Sequence, residues 1–234
     1  MIFIGSGSLL RHALLIAEQS SIKIDLVCAE RDNGLVQFCH RSNFSVISTN
    51  NVNDDLLVGL KKSSDGIAIM VNSSSIIRDE LLTTSVAFFN IHNGLVQKYR
   101  GLADVCVFAS ICKIENEYGS TLQRLLPRHQ VDAGPTLDQR SFKVEMDDDF
   151  ETVFSNSIDN YKNQLESTLP KLSSFVESGG KYLHGTETYS YRHVTALIGN
   201  APEDRRSLAC SLGRYSGLLP RLSSLTGNSR KQSQ

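Results

Sequence analysis

Excess charge of either sign is missing from this chain. Lysine and arginine number 24 against 25 aspartates and glutamates, a formal net charge of −1, so no general nucleic-acid or membrane surface is expected. No apolar run reaches membrane-spanning length. The apolar opening Met1-Ile2-Phe3-Ile4 carries no basic leader and runs at once into glycines, which reads as a first strand and not a signal peptide. Cysteine is sparse: Cys28, Cys39, Cys106, Cys112 and Cys210 are scattered, odd in number and without Cys-x-x-Cys spacing. That pattern supplies no zinc motif and reads as buried free thiols in a reducing cytosol. The acidic run Asp147-Asp148-Asp149 precedes a long helical pattern, where aspartate is ordinary capping and not a metal site. No internal repeat is evident. A cytoplasmic protein with no metal, no membrane association and no nucleic-acid partner is expected.

What is present is ordinary globular material. The 234 residues are 40% hydrophobic and 21% charged, enough for one domain with a sizeable core and an appendage. Met1-Ile2-Phe3-Ile4, the turn Gly5-Ser6-Gly7-Ser8 and then Leu9, Leu10, Ala13, Leu14 and Ala17 at helical spacing read as strand, glycine turn and helix. Backbone amides at that helix start have the chemistry to hold a phosphate, although the full dinucleotide fingerprint is absent. Strands follow at Ile22–Cys28, Phe44–Ile47 and Gly66–Val71, with helices from Leu35 to Arg41 and from Asn53 to about Lys61. Repeated β-α-β predicts an α/β, Rossmann-like, mostly parallel sheet with flanking helices. Further on, Leu102 to Ile111 reads as a buried helix, and Tyr118 to Leu126 and Thr136 to Val144 as two strands, antiparallel in part. A long helix from Phe150 to Leu169 follows, broken by Gly179-Gly180. The polar segment from Lys181, with Tyr182, Thr186, Thr188, Tyr189, Tyr191, Arg192 and His193, reads as a local hairpin whose aromatics offer a stacking alternative. A final helix is expected from about Asn200 to Leu212.

The chemistry concentrates in Phe89-Asn90-Ile91-His92, where a buried strand turns abruptly polar. Alternation along a strand places Asn90 and His92 on one side. A carboxamide and an imidazole there form a donor pair able to hold a developing oxyanion. In open α/β sheets that strand edge is also where ligands bind. A carboxylate stands in the tight turn Val131-Asp132-Ala133-Gly134-Pro135, about forty residues downstream and on the scale of one α/β crossover.

Together these segments resemble the folate-dependent formyltransferases, the family of methionyl-tRNA, glycinamide ribonucleotide and amino-sugar N-formyltransferases. Asn90, His92, Gly101, Asp132, Gly134 and Pro135 fall in register with the family signature over roughly three-quarters of the chain. Gly94, Val96 and Gln97 depart from its Ser-Leu-Leu-Pro loop, and losing the proline frees a fixed φ. The resemblance implies catalysis by Asn90, His92 and Asp132. It also implies a donor pocket lined by Ser75, Ile76 and Ile77 after the fourth strand and by His129, Gln130 and Val131 before Asp132. Acceptor contacts would come from Gly5, Ser6, Gly7 and Ser8, similar to the phosphate loop of glycinamide ribonucleotide formyltransferase but with Leu9 for its asparagine, and from Lys98, Tyr99, Arg100 and Gly101.

The implied reaction moves a formyl group from 10-formyl-tetrahydrofolate to a primary amine. Asn90 and His92 would donate to the carbonyl oxygen as it gains charge, and Asp132 would orient His92 and accept the amine proton. A nucleotide-linked amino sugar is the first acceptor expected. Glycinamide ribonucleotide or a secondary-metabolite amine is the alternative. A module that holds formyl-folate or a nucleotide without turnover is a second alternative, and a Rossmann-type oxidoreductase, which would require tight NAD binding, a third. Residues 1–178 are expected as the catalytic domain and 179–234 as an extension on the acceptor side or at a homodimer contact, with a mobile tail from about 227. No counterpart of the C-terminal barrel of methionyl-tRNA formyltransferase is expected.

Overall fold

The computed structural model describes residues 1–183, 185 and 187–227. Thr186 of the polar segment and the tail beyond Gly227 lie outside the described residues. In chain order the elements are β1 (Ile2–Gly5), α1 (Gly7–Gln19), β2 (Leu26–Glu30), α2 (Asn33–Arg41), β3 (Val46–Thr49), α3 (Val52–Gly59), β4 (Ile67–Val71), α4 (Asp79–Leu82) and β5 (Ala87–His92). Then come β6 (Arg100–Gly101), α5 (Ala103–Cys112), β7 (Glu117–Leu125), β8 (Thr136–Lys143), α6 (Phe150–Thr168), β9 (Thr188–Tyr189), α7 (Val194–Asn200), α8 (Glu203–Cys210) and α9 (Pro220–Leu225).

One sheet has seven strands in the order β3-β2-β1-β4-β5-β7-β8. Its first five are parallel, and β7 joins β5 antiparallel, with Asn90 opposite Gln123 and His92 opposite Thr121. Every residue of β1, β2 and β4 is buried, as continuous apolar runs covered on both faces should be. The order reverses between β1 and β4, so the chain leaves these adjacent strands in opposite directions and opens a crevice at their carboxyl ends. Gly5 ends β1 there at φ +139°, and a Cβ on it would lie 2.0 Å from the Val71 carbonyl oxygen, so β1 and β4 close up only with glycine at this place.

Two compact units make up the fold. The first gathers Met1–His92, Thr121–Asp138 and Lys162–Leu183. One core cluster in it joins Ile2, Ile4, Leu26, Cys28, Ala68, Met70 and Phe88 of the sheet to Leu56 and Leu60. The second comprises Asn93–Ser120, Gln139–Tyr161 and the described part of 184–234. Its core sets α5, buried along nearly its whole length, against Phe150, Val153, Val194, Ala209 and Leu222.

Several boundaries differ from the sequence expectation. Strand β2 starts at Leu26 and not Ile22, because Ile22 N–H closes the end of α1 on the Ala17 carbonyl and Asp25 N–H bonds Met1 O. Strand β3 starts at Val46, since Phe44 N–H bonds the Cys39 carbonyl and its ring packs edge-on against Phe38 at 6.2 Å. The segment expected as a hairpin is none among the described residues. Instead β9 pairs in parallel with β6, and Ser190 and His193 form a capping box that starts a 3₁₀ turn leading into α7. Asp149 does cap α6, accepting Thr152 N–H at 2.9 Å and the Ser211 hydroxyl at 3.0 Å. Four cysteines are buried and Cys210 is half-buried. Burial holds the Cys28 thiol up at about 12, with the nearby Glu30 carboxylate adding to it, and Cys39 at about 11. Among the described residues no helix is long and apolar enough to cross a membrane.

Candidate active site

Strand β5 carries Asn90 and His92 two residues apart, so both side chains leave the same face. Asp132 meets them there. Its Oδ1 accepts from Asn90 Nδ2 at 3.4 Å, and its Oδ2 faces His92 Nδ1 at 3.4 Å. One carboxylate thus ties both groups of the strand. His92 and Asp132 are 5% and 7% exposed, so water screens their interaction little, while Asn90 is half-buried. The contacts, each 3.4 Å, are long for charge-assisted bonds.

The path that returns Asp132 to β5 runs through the antiparallel neighbour. Gln123 of β7, wholly buried and opposite Asn90, donates through Nε2 to the Gly134 carbonyl at 3.0 Å. Arg124 N–H bonds Pro135 O at 3.0 Å. A Cβ on Gly134 would lie 2.0 Å from the Arg124 carbonyl oxygen, so glycine alone lets the turn press against β7. Asp132 sits at φ +52°, in the left-handed region that aspartate tolerates better than most residues, and Ala133 N–H closes the turn on Gln130 O at 3.2 Å. Ahead of the turn, Arg128 N–H is fixed by Asp79 Oδ1 at 2.9 Å, and the His129 ring stacks on Tyr182 with centroids 5.8 Å apart. Val131 is 43% exposed.

The loop after β4 lies beside this edge. Val71 pairs with Ile91, so Asn72 and His92 are the next residues on neighbouring strands. Ser75 is half-buried, Ile76 is 68% exposed and Ile77 turns into the core. Apolar side chains standing open next to polar donors suit a flat, largely apolar ring system with a few polar edges. At the β1–α1 turn, Ser6 Oγ bonds Asn72 O at 3.2 Å, and Gly7 N–H bonds Asp32 Oδ2 at 2.8 Å. The other oxygen of Asp32 caps α2 through Leu35 N–H at 2.9 Å. Gly7 therefore offers its amide to a carboxylate of the chain itself, and Ser8 begins the exposed face of α1.

The remaining residues named from the sequence belong to the second unit. Lys98 pairs with Glu115 at 2.5 Å. Tyr99, 1% exposed, packs between Tyr118 and Tyr189 at 5.6 and 5.5 Å. Arg100, 2% exposed, donates to Thr188 Oγ1 at 3.1 Å, and Gly101 pairs with Tyr189. The loop without its proline is held by Lys98 and Tyr99 amides on the Leu95 carbonyl and by Gly185 N–H on Val96 O at 2.9 Å. Sequence reading passed over Gln123, Glu30, Asp32 and Asn53. Nothing local marked Gln123, which stands in a stretch of mostly polar and small residues, Gly119-Ser120-Thr121-Leu122-Gln123-Arg124.

No family model matches the chain. It is 39% identical over 83 residues to a methionyl-tRNA formyltransferase of Enterococcus faecalis, covering 36% of this chain and 25% of that protein. It is 31% identical over 161 residues to that of Caldanaerobacter subterraneus subsp. tengcongensis, covering 68% and 50%. The matched region is thus half or less of the length of these curated relatives. An N-formyltransferase of Helicobacter canadensis, solved with folinic acid and dTDP-3-aminofucose, superposes with TM-score 0.66 at 17% identity, over 82% of this chain and 71% of that one. Glycinamide ribonucleotide transformylase 1 of Symbiobacterium toebii gives 0.64 at 16% identity, over 74% and 86%. By its sequence matches and its fold, the chain belongs to the folate-dependent formyltransferase family.

Proposed function

We propose that the protein transfers a formyl group from 10-formyl-tetrahydrofolate to a primary amine. The observation that carries this reading is the single carboxylate of Asp132 reaching both Asn90 and His92 at 3.4 Å. The folate supplies an activated formyl carbon. The chain's part is to stabilise charge on the formyl oxygen and to move one proton. With Nδ1 turned to Asp132, His92 directs its other nitrogen, Nε2, at the formyl oxygen. Asn90 holds its amide beside Asp132 and gives that oxygen a second donor. Asp132 keeps the imidazole in register and takes the proton of the attacking amine, directly or through one water; that proton passes to the folate N10 as its bond to the formyl carbon breaks and tetrahydrofolate leaves. Binding of folinic acid or 5-formyl-tetrahydrofolate by sugar N-formyltransferases of the same fold supports the choice of donor.

For the acceptor we favour a nucleotide-linked amino sugar. Two observations support it: the Helicobacter canadensis enzyme of this fold holds dTDP-3-aminofucose, and Asp32 fills the first amide of α1. A carboxylate there disfavours the ribose phosphate that glycinamide ribonucleotide would bring to that helix start. Glycinamide ribonucleotide stays the second reading, since transformylases for it share the fold. The test follows absorbance as tetrahydrofolate is released, with dTDP-amino sugars, glycinamide ribonucleotide and simple amines offered in turn. Release with an amino sugar supports the proposal. Tight folate binding without release for any amine would leave a binding module, and no folate binding would remove the reading altogether.

A further inference from the structure

The segment between β4 and α4 has no helix or strand of its own from Ser73 to Arg78, yet side chains remote in sequence pin it at three places. At its start Asn72, at φ +51°, exchanges bonds with Ser6, Nδ2 to O at 3.1 Å and Ser6 Oγ to Asn72 O at 3.2 Å. In its middle Glu30, the last residue of β2 and 9% exposed, accepts the Ser73 hydroxyl on Oε1 at 2.5 Å. Its Oε2 accepts the Ser74 amide at 2.9 Å and hydroxyl at 3.3 Å. At its end Asn53 of α3 donates through Nδ2 to Ile76 O at 3.0 Å and accepts Arg78 N–H on Oδ1 at 2.7 Å. Ile77 plugs into the core. The hydroxyls of Ser73 and Ser74 are both turned to Glu30. Beyond them the loop presents half-buried Ser75 and the exposed Ile76, past the end of the strand that neighbours that of His92.

These bonds satisfy the nearly buried Glu30 carboxylate, and they also fix a loop that exposes an isoleucine to solvent. A binding loop gains affinity, because its ordering cost is met before the ligand arrives. We propose that Glu30 and Asn53 are positioning residues of the donor pocket: they clamp the loop so that Ile76 and the Ser75 hydroxyl are pre-set against the ring system of the formyl-folate. The inference rests on the donor proposed above and deepens it.

The test measures equilibrium binding of 5-formyl-tetrahydrofolate by calorimetry, amide exchange in residues 73–77 of the free protein, and KM against kcat for the formyl donor. Asn53→Ala and Glu30→Gln are expected to quicken exchange in the loop and to raise the dissociation constant and KM about tenfold, with kcat at saturating donor held within about twofold. Asn53→Asp, which keeps the acceptor for Arg78 N–H and loses the donor to Ile76 O, falls between them and wild type. Ile76→Ser weakens binding without quickening exchange, separating contact from positioning. Faster exchange with unchanged affinity in Asn53→Ala and Glu30→Gln would overturn the proposal, as would unchanged exchange in both. Wild-type protein that fails to bind the folate would instead remove the reading on which the clamp depends.

Discussion

At the scale of single residues, the candidate site depends on how many partners one carboxylate serves. Asp132 faces the Asn90 amide and the His92 ring at once, so its loss unties both donors together. Asp132→Asn and His92→Ala are expected to fold and to lose turnover by about 10²–10³, the scale seen when one charge-stabilising donor is removed elsewhere. Release of tetrahydrofolate measures it, and near-wild-type rates in either variant would strip that residue of its role. Asp32 is a second shared carboxylate, holding Gly7 N–H of α1 and Leu35 N–H of α2. Asp32→Ala should cost about 1 kcal/mol of stability in urea unfolding, the usual loss for a helix cap. Asn90 and His92 were legible in the sequence because strand alternation dictates a shared face. Gln123, Glu30 and Asn53 were not, because each acts on a partner whose proximity no local pattern encodes.

At the scale of elements, the turn after β7 and the start of α6 make separable predictions. Gly134→Ala would drive a Cβ to 2.0 Å from Arg124 O, so the turn must back away from β7 and carry Asp132 off His92. Turnover should fall by at least tenfold, with circular dichroism close to wild type, if the displacement at the site matters as it does in positioned catalysis generally. Asp149 caps α6. Burial on its own would raise its carboxyl, but the amide and hydroxyl of Thr152 and the hydroxyl of Ser211 outweigh that and hold it below the usual range. A depressed carboxyl stabilises the fold above its unfolded value, about 3.9, and the contribution fades as pH falls through the folded value. Asp149→Ala should therefore lower the melting temperature at pH 7, by the equivalent of about 1 kcal/mol. Below about pH 3.9 the gap to wild type should narrow. A gap independent of pH would mean that the carboxylate contributes only by its shape.

At the scale of the whole molecule, a ligand that binds only the folded state stabilises it by mass action. Saturating 5-formyl-tetrahydrofolate at a hundred times its dissociation constant should add about 2.7 kcal/mol. Slowed amide exchange is expected to concentrate in residues 72–77 and 128–133, and protection that misses both loops would place the folate elsewhere. By itself the sequence determined the alternation of buried strands and helices, hence the parallel sheet, and it displayed an amide, an imidazole and a carboxylate in a family's spacing. Periodicity does this because it reports which face of an element meets the core. Tertiary structure alone decided that Asp132 would return to β5, through Gln123 on an antiparallel neighbour and a glycine that lets two backbones touch. It also decided that Glu30 and Asn53 would hold a loop more than twenty residues away from either. Such pairings depend on register and on close approach between distant segments, which come into being only when the whole sheet is assembled.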